Sequence, residues 1–127
     1  MLGSEYKQKA MMTANPDATK FLLAKIEVCA KAGIDLGKGL NAALGLTGEA
    51  GEFNDMLKKW IFHDKELDTE HLKKELGDVC WYIALACDAF GWDLDEILQK
   101  NIDKLTARYH GGGFNTKDAV NHAEGDV

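Results

Sequence analysis

Apolar positions recur every three to four residues along most of this chain, the period of amphipathic helices and not of strands. Residues 5–13 can form a short helix, and Asn15-Pro16-Asp17 follows as a break with good N-cap chemistry. Residues 17–32 carry Phe21, Leu22, Lys25, Ile26 and Cys29 at core-compatible spacing. Gly33, Gly37 and Gly39 punctuate the next stretch, so a helix is expected from about residue 40 to 62. A polar connection from His63 to Thr69 leads to another helix, capped by Asp68 or Thr69 and running to about residue 90. Gly91 stops it, and Asp93 caps a helix over 94–109 whose stripe is Leu94, Ile97, Leu98 and Leu105. Gly111-Gly112-Gly113 ends that helix, and a polar, mobile tail is expected over 116–127. The pattern thus predicts an all-α fold, a four-to-five-helix bundle in one domain spanning 1–115.

Two acidic pairs interrupt the pattern. With Glu49 at zero and 100° per residue, Phe53 falls at about 40°, Leu46 at about 60°, Trp60 at about 20° and Met56 at about 340°. Glu49 therefore occupies the centre of an apolar stripe, and Glu52, at about 300°, its edge. With Glu75 at zero, Val79, Ala86, Tyr82 and Phe90 form the same stripe, and Asp78 again falls at about 300°. Four carboxylates gathered between two helices repel one another and lose hydration, so they require a cation or a proton. A solvated surface is the ordinary fate of an E-x-x-E pair, but two pairs in matching registers point to a shared metal site.

Composition narrows the class of partner. With 127 residues, 46% hydrophobic and 28% charged, the chain suits one soluble domain. Its 21 acidic residues outnumber 15 basic ones, for a net charge of -6. That balance argues against duplex nucleic acid, whose phosphates need clustered Lys and Arg, but not against a nucleotide. No run approaches the roughly 18 apolar residues of a membrane span, and MLGSEYKQKAMMT lacks a signal-peptide core. The odd set Cys29, Cys80 and Cys87 lies in apolar context, so a reducing, cytoplasmic setting is expected.

The donor set selects the metal. No Glu is followed three residues later by His, as di-iron bundles require, and Cys and His lack zinc spacing. All-oxygen ligation favours Mg2+, with Mn2+ as the common substitute. Asn101, Lys104 and Arg108 fall within or beside the last apolar stripe. Alone, each is as well explained by a bonded amide or a snorkelling stem; beside a metal, the cations suit phosphate oxygens and the amide suits a base or sugar edge. Trp60, Trp81 and Tyr82 can stack on a base, although helical aromatics are more often core. Trp81 and Leu85 lie away from the main arc of their helix, so that helix needs cover on two sides, which a partner subunit would provide.

The segments LGLTGEAGEFNDMLKK (44–59), FHD (62–64), KELGDVCWYIALACDAFG (74–91) and NIDKLTARY (101–109), followed by Gly113-Phe114, closely resemble the MazG-like nucleoside triphosphate pyrophosphohydrolases. The likeness covers roughly residues 40–115. It implies the all-α NTP pyrophosphatase fold, completed by oligomerisation as a homodimer or a dimer of dimers. It implies Glu49, Glu52, Glu75 and Asp78 as Mg2+ ligands, and hydrolysis of a (deoxy)nucleoside triphosphate to monophosphate and pyrophosphate. It also places Asn101, Lys104 and Arg108 at the substrate, and Tyr82 and Trp60 are added as candidate substrate contacts. Glu52, freer to solvent at the stripe edge, is expected to be the general base, with Glu49 next. The segment Asn15–Lys38 is longer than the family pattern leads one to expect. Two rival readings are a non-catalytic helical assembly module and a nucleotide-binding sensor using the same acidic site.

Overall fold

The computed structural model describes residues 1–110 and 113–120, and every regular element in them is helical. In order these are α1 (Gly3–Ala10), a 3-10 turn (Met11–Thr13), α2 (Ala18–Lys31), α3 (Leu36–Phe62), α4 (Thr69–Phe90), α5 (Leu94–Arg108) and the short α6 (Thr116–Val120). The all-α class is as expected. Gly111, Gly112 and residues 121–127, part of the anticipated helix stop and tail, lie outside the described residues.

α3, α4 and α5 each start on an acidic cap. Asp35, Asp68 and Asp93 accept hydrogen bonds from the backbone N–H groups of Lys38, His71 and Asp95 at 2.9, 3.0 and 3.1 Å. Such caps contribute about 1 kcal/mol each. Asp17 does not act in this way: the Asn15 carboxamide takes the N–H of Asp17 instead, at 2.9 Å. Two helices stop on left-handed glycines, Gly33 after α2 and Gly91 after α4. There the next amide reaches back to close the end, Ile34 to the Cys29 carbonyl and Trp92 to that of Cys87.

The start of α3 departs from the sequence expectation by one turn. Gly37 and Gly39 are inside the helix rather than before it, because Asp35 caps it and Gly39 serves a close approach. A side chain at Gly39 would press on the Phe90 ring of α4, and one at Gly45 would overlap the Tyr82 ring. The missing side chains therefore let α3 and α4 pack closely as an antiparallel hairpin. Its open end is pinned by the Asp35 N–H to the Ala89 carbonyl (3.1 Å) and by Lys38 to Asp88 (2.8 Å). Its closed end turns through Asp64, which sits in the left-handed region at φ 51°. Among the described residues the buried apolar side chains, Ala42, Cys87 and Ala89, all belong to this hairpin.

The other helices pack far less. α2 touches α3 lightly and leaves Phe21 59% exposed, and the stripe on α5 is open, with Leu98 57% exposed. The hairpin is the framework of the chain.

Replacing Gly45 tests the close approach. In an exposed helix interior, Gly→Ala stabilises by about 0.5–1 kcal/mol, and Gly48→Ala, which meets nothing nearby, should do so. Gly45→Ala should reverse the sign and cost roughly 1–3 kcal/mol by urea unfolding, because its methyl overlaps Tyr82. Equal gains at both positions would refute the packing.

Candidate metal centre

The antiparallel pairing that sets Gly39 against Phe90 and Gly45 against Tyr82 continues toward the turn and brings Glu49 and Glu52 to Glu75. One carboxylate oxygen from each of these three residues lies within 4.8 Å of the others. Glu75 is buried, at 7% exposure, Glu49 is half-buried and Glu52 is exposed. Projection had placed Glu49 and Glu75 inward and Glu52 at the rim, and the structure does the same.

Asp78 does not join them. It is exposed, and its shorter side chain leaves its carboxylate outside the cluster, although its charge still acts on Glu49. In an antiparallel pair, three residues further along α3 leads toward the turn, whereas three further along α4 leads away. Glu52 and Asp78 therefore diverge by about 4.5 Å each in opposite directions along the axis. A shared angular offset on two helices did not make a symmetric tetrad.

The electrostatics of the cluster are unfavourable as bare carboxylates. Glu49 is held up at about 7, first by a proton shared with Glu75, then by burial and by the charges of Glu52, Glu75 and Asp78. Glu75 is held below its ordinary value as the acceptor of that proton, with further help from His71. Even so, Glu49 Oε2 and Glu75 Oε2 are both buried with no hydrogen-bond partner among the described residues. Buried oxygens rarely go unsatisfied, and two such acceptors within a three-carboxylate cluster suit a hard divalent cation. The donor set fits such an ion.

Two neighbours were not singled out from sequence. His71, one turn before Glu75 on α4, donates from Nε2 to Glu75 Oε1 at 2.9 Å. Asp55, one turn after Gly51 on α3, pairs with Lys59 at 2.6 Å, and that cation keeps its carboxyl low. Both line a groove of about 300 Å3 with Gly51, Glu52, Met56 and Glu75. The i,i+4 spacing of His71 and Glu75 was the available signal.

The expected substrate contacts are more scattered. Tyr82 covers Gly45, about one turn beyond Asp78, with its ring edge-on to Trp81. Trp60 is 47% exposed and lies about 12 Å further along α3 than Glu52. Asn101 is exposed on α5, with Lys104 and Arg108 half-buried there, and α5 packs on neither α3 nor α4 to an extent comparable with the hairpin. No described helix is long and apolar enough to cross a membrane.

Fold and site together define an all-α protein whose central hairpin presents a carboxylate cluster suited to a hard cation. The family model for the MazG nucleotide pyrophosphohydrolase domain matches residues 38–112, which include the whole hairpin site and α5. The chain belongs to that family. It is also similar to the Gene 37 protein of Mycobacterium phage L5, 39% identical over 70 residues. That match covers 51% of this chain and 60% of the phage protein, so less than two thirds of the relative's length is spanned. No solved structure matches the chain.

The shared proton gives a pH dependence. Without a divalent cation, folded Glu49 keeps its proton to about pH 7, whereas the unfolded chain releases it near 4.5. Between those values the folded state binds more protons, so stability falls as pH rises through the window. The lowered Glu75 adds stability above 4.5 and loses it only at lower pH, so it does not reverse the slope. Urea unfolding in EDTA should show lower stability at about pH 8 than at about pH 6, with an added divalent cation restoring more at the higher pH. A flat profile would rule out the shared proton.

Proposed function

We propose that this protein is a Mg2+-dependent nucleoside triphosphate pyrophosphohydrolase, converting (d)NTP and water to (d)NMP and pyrophosphate. The observation that carries the reading is the pair of buried, unpartnered oxygens, Glu49 Oε2 and Glu75 Oε2, beside Glu52 in a chain of the nucleotide pyrophosphohydrolase family. Glu49, Glu52 and Glu75 would hold the ion, with Asp78 adding charge from the rim. When bound, Mg2+ supplies charge neutralisation for triphosphate oxygens. Mn2+ would substitute for it.

The residues of the chain supply the rest. Water attacks the α-phosphorus, the bond from that phosphorus to the bridging oxygen breaks, and pyrophosphate departs. Glu52, the exposed member of the cluster, accepts the water proton; Glu49 is the next candidate. Lys104 and Arg108 hold the departing phosphates, and Asn101 meets the base or sugar. Tyr82 and Trp60 offer faces to a base.

Those α5 residues reach the carboxylates most simply from a second subunit. Large apolar side chains stand open on α2, α4 and α5, with Phe21 59%, Trp81 58% and Leu98 57% exposed. A homodimer, or a tetramer of two dimers, covers the open faces of α2, α4 and α5.

A panel of NTPs and dNTPs with Mg2+, assayed for monophosphate and pyrophosphate, tests the activity and fixes base and sugar preference. Glu52→Gln and Glu75→Gln should each lower kcat by about 100-fold or more with helicity unchanged by circular dichroism. Nucleotide binding without product would favour the sensor, and neither binding nor product the assembly module.

Subunit sharing has its own test. Co-expressed Glu49→Gln and Arg108→Ala chains, each inactive alone, should together recover up to roughly a quarter of wild-type activity, since about half of the dimers are mixed and one of the two sites in each of those is intact. No recovery, or a monomer by sedimentation at micromolar concentration, would place α5 at its own chain's carboxylates.

A further inference from the structure

We infer that His71 is the positioning residue of the acidic centre: it holds Glu75 in the rotamer that turns Oε2 into the cluster. The inference rests on the reading of that cluster as a divalent-cation site and adds to it a residue outside the four acidic positions. Glu75 is the most buried carboxylate of the three, and its two oxygens have different surroundings. Oε1 accepts the Nε2–H of His71 at 2.9 Å, whereas Oε2 is buried and meets no donor. The His71 bond orients the carboxylate from the Oε1 side and leaves Oε2 for an ion.

The local sequence explains why the anchor is rigid. His71 stands four residues before Glu75 on α4, so the two side chains share a face one turn apart. The backbone of His71 is itself tied, its N–H donating to the Asp68 cap at 3.0 Å. The imidazole thus starts from a tied backbone at the first turn of α4, and its side chain, 56% exposed, lines the groove with Glu52 and Asp55. Its Nε2–H faces the carboxylate, so the ring serves as donor and the cluster keeps its acceptors for the cation. Asp55 cannot substitute, being an acceptor already occupied by Lys59.

Binding of Mn2+ alone, measured by calorimetry and by the loss of its free electron-resonance signal, tests the assignment. His71→Ala should weaken Mn2+ binding by about 10–100-fold, the usual effect of removing a partner that orients a ligand. His71→Gln, which places an amide N–H near the Nε2 position, should recover most of the affinity. Turnover of His71→Ala should climb toward wild type as Mg2+ is raised, because orientation is lost while the ligands remain; Glu49→Gln should gain no such rescue. Alanine favours the helix, and thermal unfolding in EDTA should show His71→Ala folded. Mn2+ affinity within twofold of wild type for His71→Ala, or a Gln variant as weak as Ala, would overturn the positioning role while leaving the cation site standing. Wild type and Glu49→Gln binding Mn2+ alike would overturn the site itself and, with it, this role.

Discussion

Everything distinctive in this chain follows from two carboxylates that face each other between packed helices. Glu49 and Glu75 are drawn inward by the apolar stripes that carry them, and one buried oxygen of each has no hydrogen-bond partner among the described residues. Removing carboxylates from water is unfavourable unless something compensates. A proton shared between them relieves the repulsion only in part, since two oxygens remain unsatisfied. A divalent cation, as proposed, would satisfy both and turn an unfavourable pair into a binding site. The hairpin must therefore be stable enough elsewhere to hold the pair together before the ion arrives.

That stability is concentrated at the open end. Gly39 under Phe90, Gly45 under Tyr82, the Asp35–Ala89 backbone bond and the Lys38–Asp88 pair form successive rungs from the start of α3 toward the acidic centre. Each rung is small, and the surface ion pair contributes about 0–1 kcal/mol. Together they fix the register, and register decides which carboxylates meet. A slip of one turn would carry Glu49 past Glu75 and leave the charges apart.

The sequence made the inward pair legible because an apolar stripe is an angular property, and projection reads angle well. A helical wheel carries no axial coordinate, so it sets Asp78 level with Glu52, whereas Asp78 falls outside the three-carboxylate group. Only the antiparallel direction of α4 separates Asp78 from Glu52, and side-chain length does the rest. Gly37 and Gly39 resembled a break for a related reason. A glycine that admits a neighbouring ring and a glycine that turns the chain look alike until the neighbour is known. His71 escaped because attention to acidic spacing passes over the donor that orients an acid. Asp68, one of the two cap candidates at the start of α4, ties down the backbone of that same histidine.

The distribution of exposed apolar surface bears on how chemistry and assembly are linked. The carboxylates sit on the one pair of helices that a single chain packs well, so a cation site can be preorganised within each subunit. The cationic and amide side chains of α5 sit on a helix whose stripe is open, with Leu98 and Ile102 both more than half exposed. Covering that stripe moves α5 as a unit, and Asn101, Lys104 and Arg108 move with it because they share its 3.6-residue period. Whatever buries the leucines therefore also fixes where the cations point. Under the proposed function, the ion would be held by local helix packing and the substrate's phosphates only once the apolar faces are paired. Assembly would then be a condition for productive binding rather than a late addition to a finished enzyme. Substitutions on the α5 stripe, remote from every carboxylate, would consequently weaken substrate capture before they weakened the metal centre.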